Sequence, residues 1–169
     1  MCSLRTLSRT GLVIVALGCR DDLRRVFTET PAAPEAGPVL YLTTSDQAPP
    51  PGSTITVTAN VATIPDIKAI GSFAAHLRYD TAGLTFIAES RLPSGIRALN
   101  PQPGHIRVAG AAIEGFADGR LFAVTFRVTN PGALTSMELA LDELTGMDFG
   151  NRLPANPVHR SVRLGSTRR

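Results

Sequence analysis

The feature that most constrains this chain is a run of alternating residues between positions 53 and 63. In the segment STITVTANVAT, the apolar residues Ile55, Val57, Ala59 and Val61 occupy every second position, with mostly threonine between them. A period of two places all the apolar side chains on one face of a β-strand, whereas a helix would scatter them around its surface. We therefore predict a half-buried strand here.

Short runs of the same kind recur from Val39 onward, separated by Gly, Pro, Asn and Asp. Regularly spaced short strands with turn residues between them are typical of a β-sandwich. After an opening strand and the 53–63 strand, we predict strands at residues 70–80, 84–90, 105–112, 120–129, 136–144 and 159–164. The fold class is thus predicted to be all-β, with eight or nine strands in one domain.

Residues 136–144 (SMELALDEL) fit two periods. Helical spacing would group Met137, Ala140, Leu141 and Leu144 on one face. A strand would instead point Met137, Leu139 and Leu141 inward. The surrounding pattern has period two, which favours the strand. In the strand at 120–129, the same rule places Phe126 in the core.

The first nineteen residues have the pattern of an export signal. Arg5 and Arg9 precede the short apolar run GLVIVAL at 11–17, and Gly18-Cys19 then resembles a lipobox. We interpret residues 1–19 as a lipoprotein signal peptide with lipidation at Cys19; a short buried helix or a wrongly chosen start codon is the alternative. The expected location is outside the cytoplasm, on a membrane, in the periplasm or at the cell surface.

The segments on either side of the predicted domain differ from it in composition. Residues 20–37 are rich in Pro, Ala, Glu and Thr, which favours a flexible tether, and residues 166–169 form a basic tail. Residues 38–165 contain ten Lys or Arg and ten Asp or Glu, so the domain itself is neutral by count. The basic excess near a lipid anchor favours contact with anionic headgroups and argues against nucleic acid as a partner.

Residue types that carry catalysis or bind metals are sparse. His76, His105 and His159 are too far apart in sequence for a zinc motif, and His76 is interpreted as an exposed sheet residue. Asp142 and Glu143 are adjacent, and neighbouring strand residues point to opposite faces. The sequence therefore predicts no enzyme, no metal site and no cofactor.

Aromatic residues are few, and tryptophan is absent. Five of them are expected in the core: Phe73, Tyr79, Phe86, Phe122 and Phe126. Tyr41, Phe116 and Phe149 remain as candidates for an exposed platform. This composition argues against an extended planar strip for sugar rings, although polysaccharide binding stays as an alternative.

Taken together in order and spacing, the strands of residues 38–165 resemble the cohesin domain, a nine-stranded flattened jelly roll related in fold to carbohydrate-binding modules. The stretches that carry the resemblance are PGSTITV at 51–57, LRYD at 77–80, LTF at 84–86, GHIRVA at 104–109, DG at 118–119 and TFRV at 125–128.

The resemblance implies a non-catalytic receptor for dockerins, which are small calcium-loaded helical domains, or for another secreted protein. The implied binding face is a flat sheet presenting Ser72, Ala74, His76, Arg78, Arg107, Leu121 and Arg127, with Ala109, Ala123 and Thr125 beside them. On this face Leu121 is the expected apolar anchor. Cellulosomal cohesins often carry Asn and Asp where Ser72 and Ala74 stand. A carbohydrate-binding module and a structural domain of the cell envelope are the alternatives.

Overall fold

The computed structural model describes residues 38–62, 70–116, 119–154 and 160–164. The predicted signal peptide, Cys19, the tether and the basic tail lie outside these residues, as does His159. No helix within the described ranges is long and apolar enough to cross a bilayer.

The described residues form nine β-strands and one short 3-10 helix, so the predicted all-β fold is confirmed. The 3-10 helix spans Pro131–Ser136 and is capped at its N-terminus by Asn130, whose side chain accepts a hydrogen bond from the Gly132 amide. The strands are β1 (Val39–Thr44), β2 (Thr54–Ala62), β3 (Ile70–Arg78), β4 (Leu84–Glu89), β5 (Ile96–Gln102), β6 (His105–Ala111), β7 (Arg120–Val128), β8 (Glu138–Gly146) and β9 (Ser161–Arg163).

Two antiparallel sheets make up the sandwich. The four-stranded sheet has the order β1-β2-β7-β4, and the five-stranded sheet has the order β5-β6-β3-β8-β9. Neighbours in space are mostly distant in sequence, as expected when a chain passes repeatedly between two layers. The strand predicted at 136–144 is confirmed as a strand, but it spans Glu138–Gly146, since Ser136 ends the 3-10 helix. Its residues Leu139, Leu141 and Leu144 are buried in the core.

The core between the sheets contains the predicted inward residues Phe73, Phe122 and Phe126, together with Phe116, which was expected to be exposed. Phe73 of β3 packs edge-on against Phe116, with ring centroids 5.3 Å apart, and lies nearly parallel to Phe122 of β7 at 6.2 Å. Phe126 meets the Tyr79 ring at 4.9 Å. These rings join the two sheets and fix their separation.

Strand β7 departs from strict alternation. Ala59 pairs with Phe122 but Asn60 pairs with Arg120, so Leu121 has no opposite residue on β2 and forms a bulge. Its side chain is fully buried in the core. The expectation that Leu121 is exposed is therefore wrong, because the bulge turns it inward beside Phe122.

Strand β8 contains a second bulge. Ala75 pairs with Leu141 and Ala74 pairs with Glu143, which leaves Asp142 as the extra residue. Asp142 and Glu143 are both exposed. The expectation that these two carboxylates point to opposite faces is wrong for the same physical reason: one inserted residue changes the phase of the strand.

Strand β5 was not predicted from the sequence. It lies at the edge of the five-stranded sheet and pairs only with β6. Its Pro101 is compatible with this position, because an edge strand can do without one amide donor on its open side. With β5 included, the described strands number nine.

Candidate binding face

The solvent side of strands β5, β6, β3 and β8 is hereafter called the outer face. Its residues line up in rows because the strand registers are continuous. In one row, Asn100, Arg107, His76 and Ala140 follow one another from β5 to β8. The side chains of residues that pair across neighbouring strands point to the same side of the sheet. If one residue of a row is exposed to solvent, the whole row therefore lies on the solvent side.

The neighbouring row consists of small residues. Ala98, Ala109 and Ala74 lie side by side, and Glu143 of β8 ends the row. A shallow depression of about 560 Å³ opens over this part of the sheet. Its outer-face lining comprises Ala74, His76, Ala98, Asn100, Arg107, Ala109 and Asp142. Because the alanine side chains are short, a helix or strand of a partner could approach the sheet closely at this row.

An exposed isoleucine stands at the edge of the outer face. Ile96 of β5 pairs with Ala111 of β6, which in turn pairs with Ser72 of β3. The Ile96 side chain is 78% exposed. A large apolar side chain in this position is accessible to a partner that covers the outer face. Sequence reasoning missed it because β5 was not recognised, although Ile-x-Ala-x-Asn was a weak alternating signal.

Charged groups surround the small residues. The His76 Nε2 atom lies 2.5 Å from an Asp142 carboxylate oxygen. The Glu143 carboxylate accepts hydrogen bonds from the Ser72 hydroxyl at 3.4 Å and the Thr145 hydroxyl at 3.2 Å. The β8 bulge thus places two carboxylates on the outer face where uninterrupted alternation would give one.

Two histidines that are 29 residues apart in sequence meet on this face. The His105 Nε2 atom is 3.3 Å from the His76 Nδ1 atom, and the ring centroids are 5.2 Å apart. Desolvation by partial burial is the largest cause that lowers the pKa of the His105 imidazole below its usual value; repulsion by His76 when that ring is protonated, by Arg107 and by Arg78 adds to the shift, while Asp142 opposes it. Burial and the neighbouring positive charges thus each disfavour the charged form of the His105 ring.

The structure brings most of the sequence-predicted site residues together. Five of them lie on the outer face: Ser72, Ala74, His76, Arg78 and Arg107. Leu121 and Arg127 belong to β7, and the expectation that they neighbour the others is wrong because β7 lies in the opposite sheet. Arg127 is exposed there between Thr54 and Thr85. The sequence indicated the solvent-exposed side of β3 and β6 but not which strands share a sheet.

The three candidate platform aromatics do not form a strip. Phe116 is buried in the core, with the Arg97 guanidinium 5.0 Å from its ring centre. Tyr41 is exposed on β1 of the four-stranded sheet, whereas Phe149 is exposed in the turn after β8. An aromatic platform for a planar sugar chain is thus not assembled from the described residues.

The fold and this face define a class of protein, namely antiparallel β-sandwiches with an exposed sheet surface on which a row of side chains is small. The family model for the cohesin domain matches residues 40–162. The chain therefore belongs to the cohesin domain family, whose members are non-catalytic binding modules. No curated protein matches the chain significantly.

Solved cohesins share the fold at low sequence identity. The sixth cohesin of scaffoldin B from Acetivibrio cellulolyticus, solved in complex with a dockerin, has a TM-score of 0.54 and 17% identity, covering 76% of this chain and 99% of its own. A type I cohesin from Clostridium thermocellum, also in a dockerin complex, has a TM-score of 0.52 and 18% identity, with coverages of 69% and 92%. A cohesin module of a family 33 glycoside hydrolase from Clostridium perfringens has a TM-score of 0.52 and 13% identity, with coverages of 75% and 95%.

Proposed function

We propose that this protein is a receptor that binds a dockerin-type module through the outer face. The observation that carries the proposal is the combination of cohesin family membership with an exposed sheet surface of small residues, edged by Ile96. Two of the related cohesins named above were solved with dockerins bound. A flat surface of small residues allows a helix to pack closely against the sheet, and the exposed apolar side chain beside it can be buried by that helix.

The charges of the outer face support recognition of a partner with mixed charge. Arg78 and Arg107 supply guanidinium groups, and Asp142 and Glu143 supply carboxylates. The carboxylates lie along β8, whereas Arg107 lies two strands away on β6. Such an uneven distribution selects the orientation of a partner and increases its association rate more than its affinity.

The direct test is binding of the chain to purified, calcium-loaded dockerin modules, including any encoded by the same genome. We expect saturable one-to-one binding that is lost when EDTA removes calcium from the dockerin. Calorimetry with and without EDTA measures both effects. If no dockerin binds, while the chain is retained on insoluble polysaccharide, the proposal is wrong and the carbohydrate-binding alternative is favoured.

We also propose that the domain is tethered to the cell envelope by a lipid on Cys19. Arg5, Arg9 and the apolar run before Gly18-Cys19 support this proposal, and residues 20–37 would supply reach between the anchor and the domain. Mass spectrometry of the membrane fraction should detect an acylated peptide that begins at Cys19. Recovery of a soluble chain that begins at Met1 and carries an unmodified Cys19 would contradict the proposal.

A further inference from the structure

The strand register accounts for the meeting of His76 and His105. Across β3 and β6, His76 pairs with Arg107 and Arg78 pairs with His105, so the two histidines are diagonal neighbours on the same face. Diagonal neighbours on a sheet lie within reach of long or aromatic side chains. The two imidazoles consequently approach edge to edge, with one nitrogen of each ring 3.3 Å from the other.

The 3.3 Å distance between His76 Nδ1 and His105 Nε2 matches the spacing of two nitrogen ligands on one metal ion. Imidazole nitrogens bind Zn²⁺ at about 2.0–2.1 Å, and two such ligands in a tetrahedral site are about 3.3 Å apart. His76 Nδ1 and His105 Nε2 are therefore at the separation of two ligands of one metal ion. Both side chains are partly accessible to solvent, so water or another ligand can reach the same point.

Asp142 fixes the tautomer of His76 that such a site requires. Its carboxylate accepts a hydrogen bond from the His76 Nε2–H group, with the two atoms 2.5 Å apart, which leaves the lone pair of Nδ1 directed toward His105. A carboxylate on the far nitrogen of a ligating histidine is the usual supporting contact in zinc sites, since it orients the ring and raises its basicity. Without a metal, His105 Nε2–H donates to His76 Nδ1. To bind an ion, His105 would release its Nε2 proton to water and carry a proton on Nδ1 instead, so that a lone pair of each ring faces the ion.

The charges around the pair are balanced. Arg78 and Arg107 oppose a cation, whereas Asp142, Glu143 and Glu138 attract one, and Arg163 lies 4.0 Å from the Glu138 carboxylate. No three ligand-type side chains converge on one point within the described ranges. The protein thus supplies two imidazole ligands, and the remaining coordination positions of a metal ion would be filled by water or by a ligand from solution.

We propose that His76 and His105 form a two-histidine binding site for a divalent transition-metal ion, with Asp142 as its supporting carboxylate. Imidazole ligands select ions of the Zn²⁺, Ni²⁺ and Cu²⁺ class over Ca²⁺ and Mg²⁺, which prefer oxygen. The site does not depend on the dockerin proposal, because it consists of residues of this chain alone.

The test is titration of the full chain with Zn²⁺ in the absence of any partner, with Cys2 and Cys19 changed to Ser so that thiolates do not compete. We expect one Zn²⁺ per chain by calorimetry, together with shifts in the imidazole proton resonances of His76 and His105. Ca²⁺ should leave these resonances unchanged. His159→Gln is the matched control, and it should bind Zn²⁺ as the parent does.

Substitutions then assign the ligands. His76→Gln and His105→Gln should each weaken Zn²⁺ binding at least tenfold, and Asp142→Asn should weaken it roughly tenfold, as supporting carboxylates do. The thermal midpoints of all variants should stay near that of the parent. If the parent shows no histidine shifts at millimolar Zn²⁺, or if both Gln variants bind as the parent does, the pair is a hydrogen bond only and the proposal is overturned. An Asp142→Asn affinity equal to that of the parent would overturn the supporting role of Asp142.

Discussion

At the scale of single residues, Phe126 shows how the two sheets hold together. Its ring is fully buried and packs edge-on against Tyr79 and Phe86, whose centroids are 4.9 Å and 6.1 Å away. Because Tyr79 follows β3 and Phe86 lies on β4, this one side chain contacts both layers. Removing the Phe126 ring would therefore leave a cavity between the two sheets.

We expect Phe126→Ala to lower the free energy of unfolding by about 3 to 5 kcal/mol, the range for large-to-small changes at buried phenylalanines. Phe149→Ala is the matched control, since that ring is 91% exposed and its loss should change stability by less than about 0.5 kcal/mol. Urea unfolding of both variants measures the difference. A loss below about 1 kcal/mol for Phe126→Ala would contradict its assignment to the core.

The limits of sequence reasoning are clearest in two aliphatic residues. Leu121 was expected to anchor a partner and is buried, whereas Ile96 went unnoticed and is exposed. Along β2, alternation assigns the inward face correctly, since Ile55, Val57, Ala59 and Val61 are all buried, whereas Asn60, expected on the wet face, is also buried where the pairing with β7 shifts. Alternation fails at Leu121 because a bulge arises from the register of two strands, which a local pattern does not contain.

At the scale of elements, the bulge in β8 serves both the core and the outer face. Leu141 and Leu144 are three residues apart and would point to opposite sides of a regular strand, yet both are buried. The extra residue Asp142 restores the phase, and it also carries the carboxylate that contacts His76. One insertion thus keeps the hydrophobic pattern and adds a charged group to the surface.

Deleting Asp142 should be tolerated, since it leaves Leu141, Glu143 and Leu144 in regular in-out-in alternation. We expect a loss of less than about 1 kcal/mol, consistent with removal of one partly exposed ion pair. Deleting Ala140 is the matched control, because Leu139 and Leu141 would become adjacent and one of them would leave the core, at a cost of at least about 2 kcal/mol. Equal losses of unfolding free energy in urea for the two deletions would contradict the assignment of the bulge.

Strand pairing is the part of the fold that the sequence did not determine. The outward residues of β3 and β7 were assigned to one surface, although those strands lie in different sheets. Alternation reports the two sides of each strand but not its neighbours, which depend on contacts between distant segments. The His76–His105 contact escaped prediction for the same reason, since 29 residues separate the partners in sequence and register alone brings them together.

At the scale of the whole molecule, the two outer surfaces of the sandwich differ in chemistry. The four-stranded sheet exposes threonine and Arg127, with Ile87 at the β4 edge. The five-stranded sheet exposes alanine, the histidine pair and Ile96. Because each surface carries an exposed isoleucine and at least one exposed arginine, residues of the four-stranded sheet can serve as matched controls for locating a binding face.

The central claim is therefore tested by the dissociation constants of matched variants with a calcium-loaded dockerin that binds the parent chain. Ile96→Asp and Arg78→Glu should each weaken binding at least about tenfold, whereas Ile87→Asp and Arg127→Glu on the opposite sheet should stay within about twofold. All four side chains are exposed, so the thermal midpoints of the free variants should remain close to that of the parent. If Ile87→Asp and Arg127→Glu weaken binding while Ile96→Asp and Arg78→Glu do not, the partner binds the four-stranded sheet and the account of the outer face is wrong.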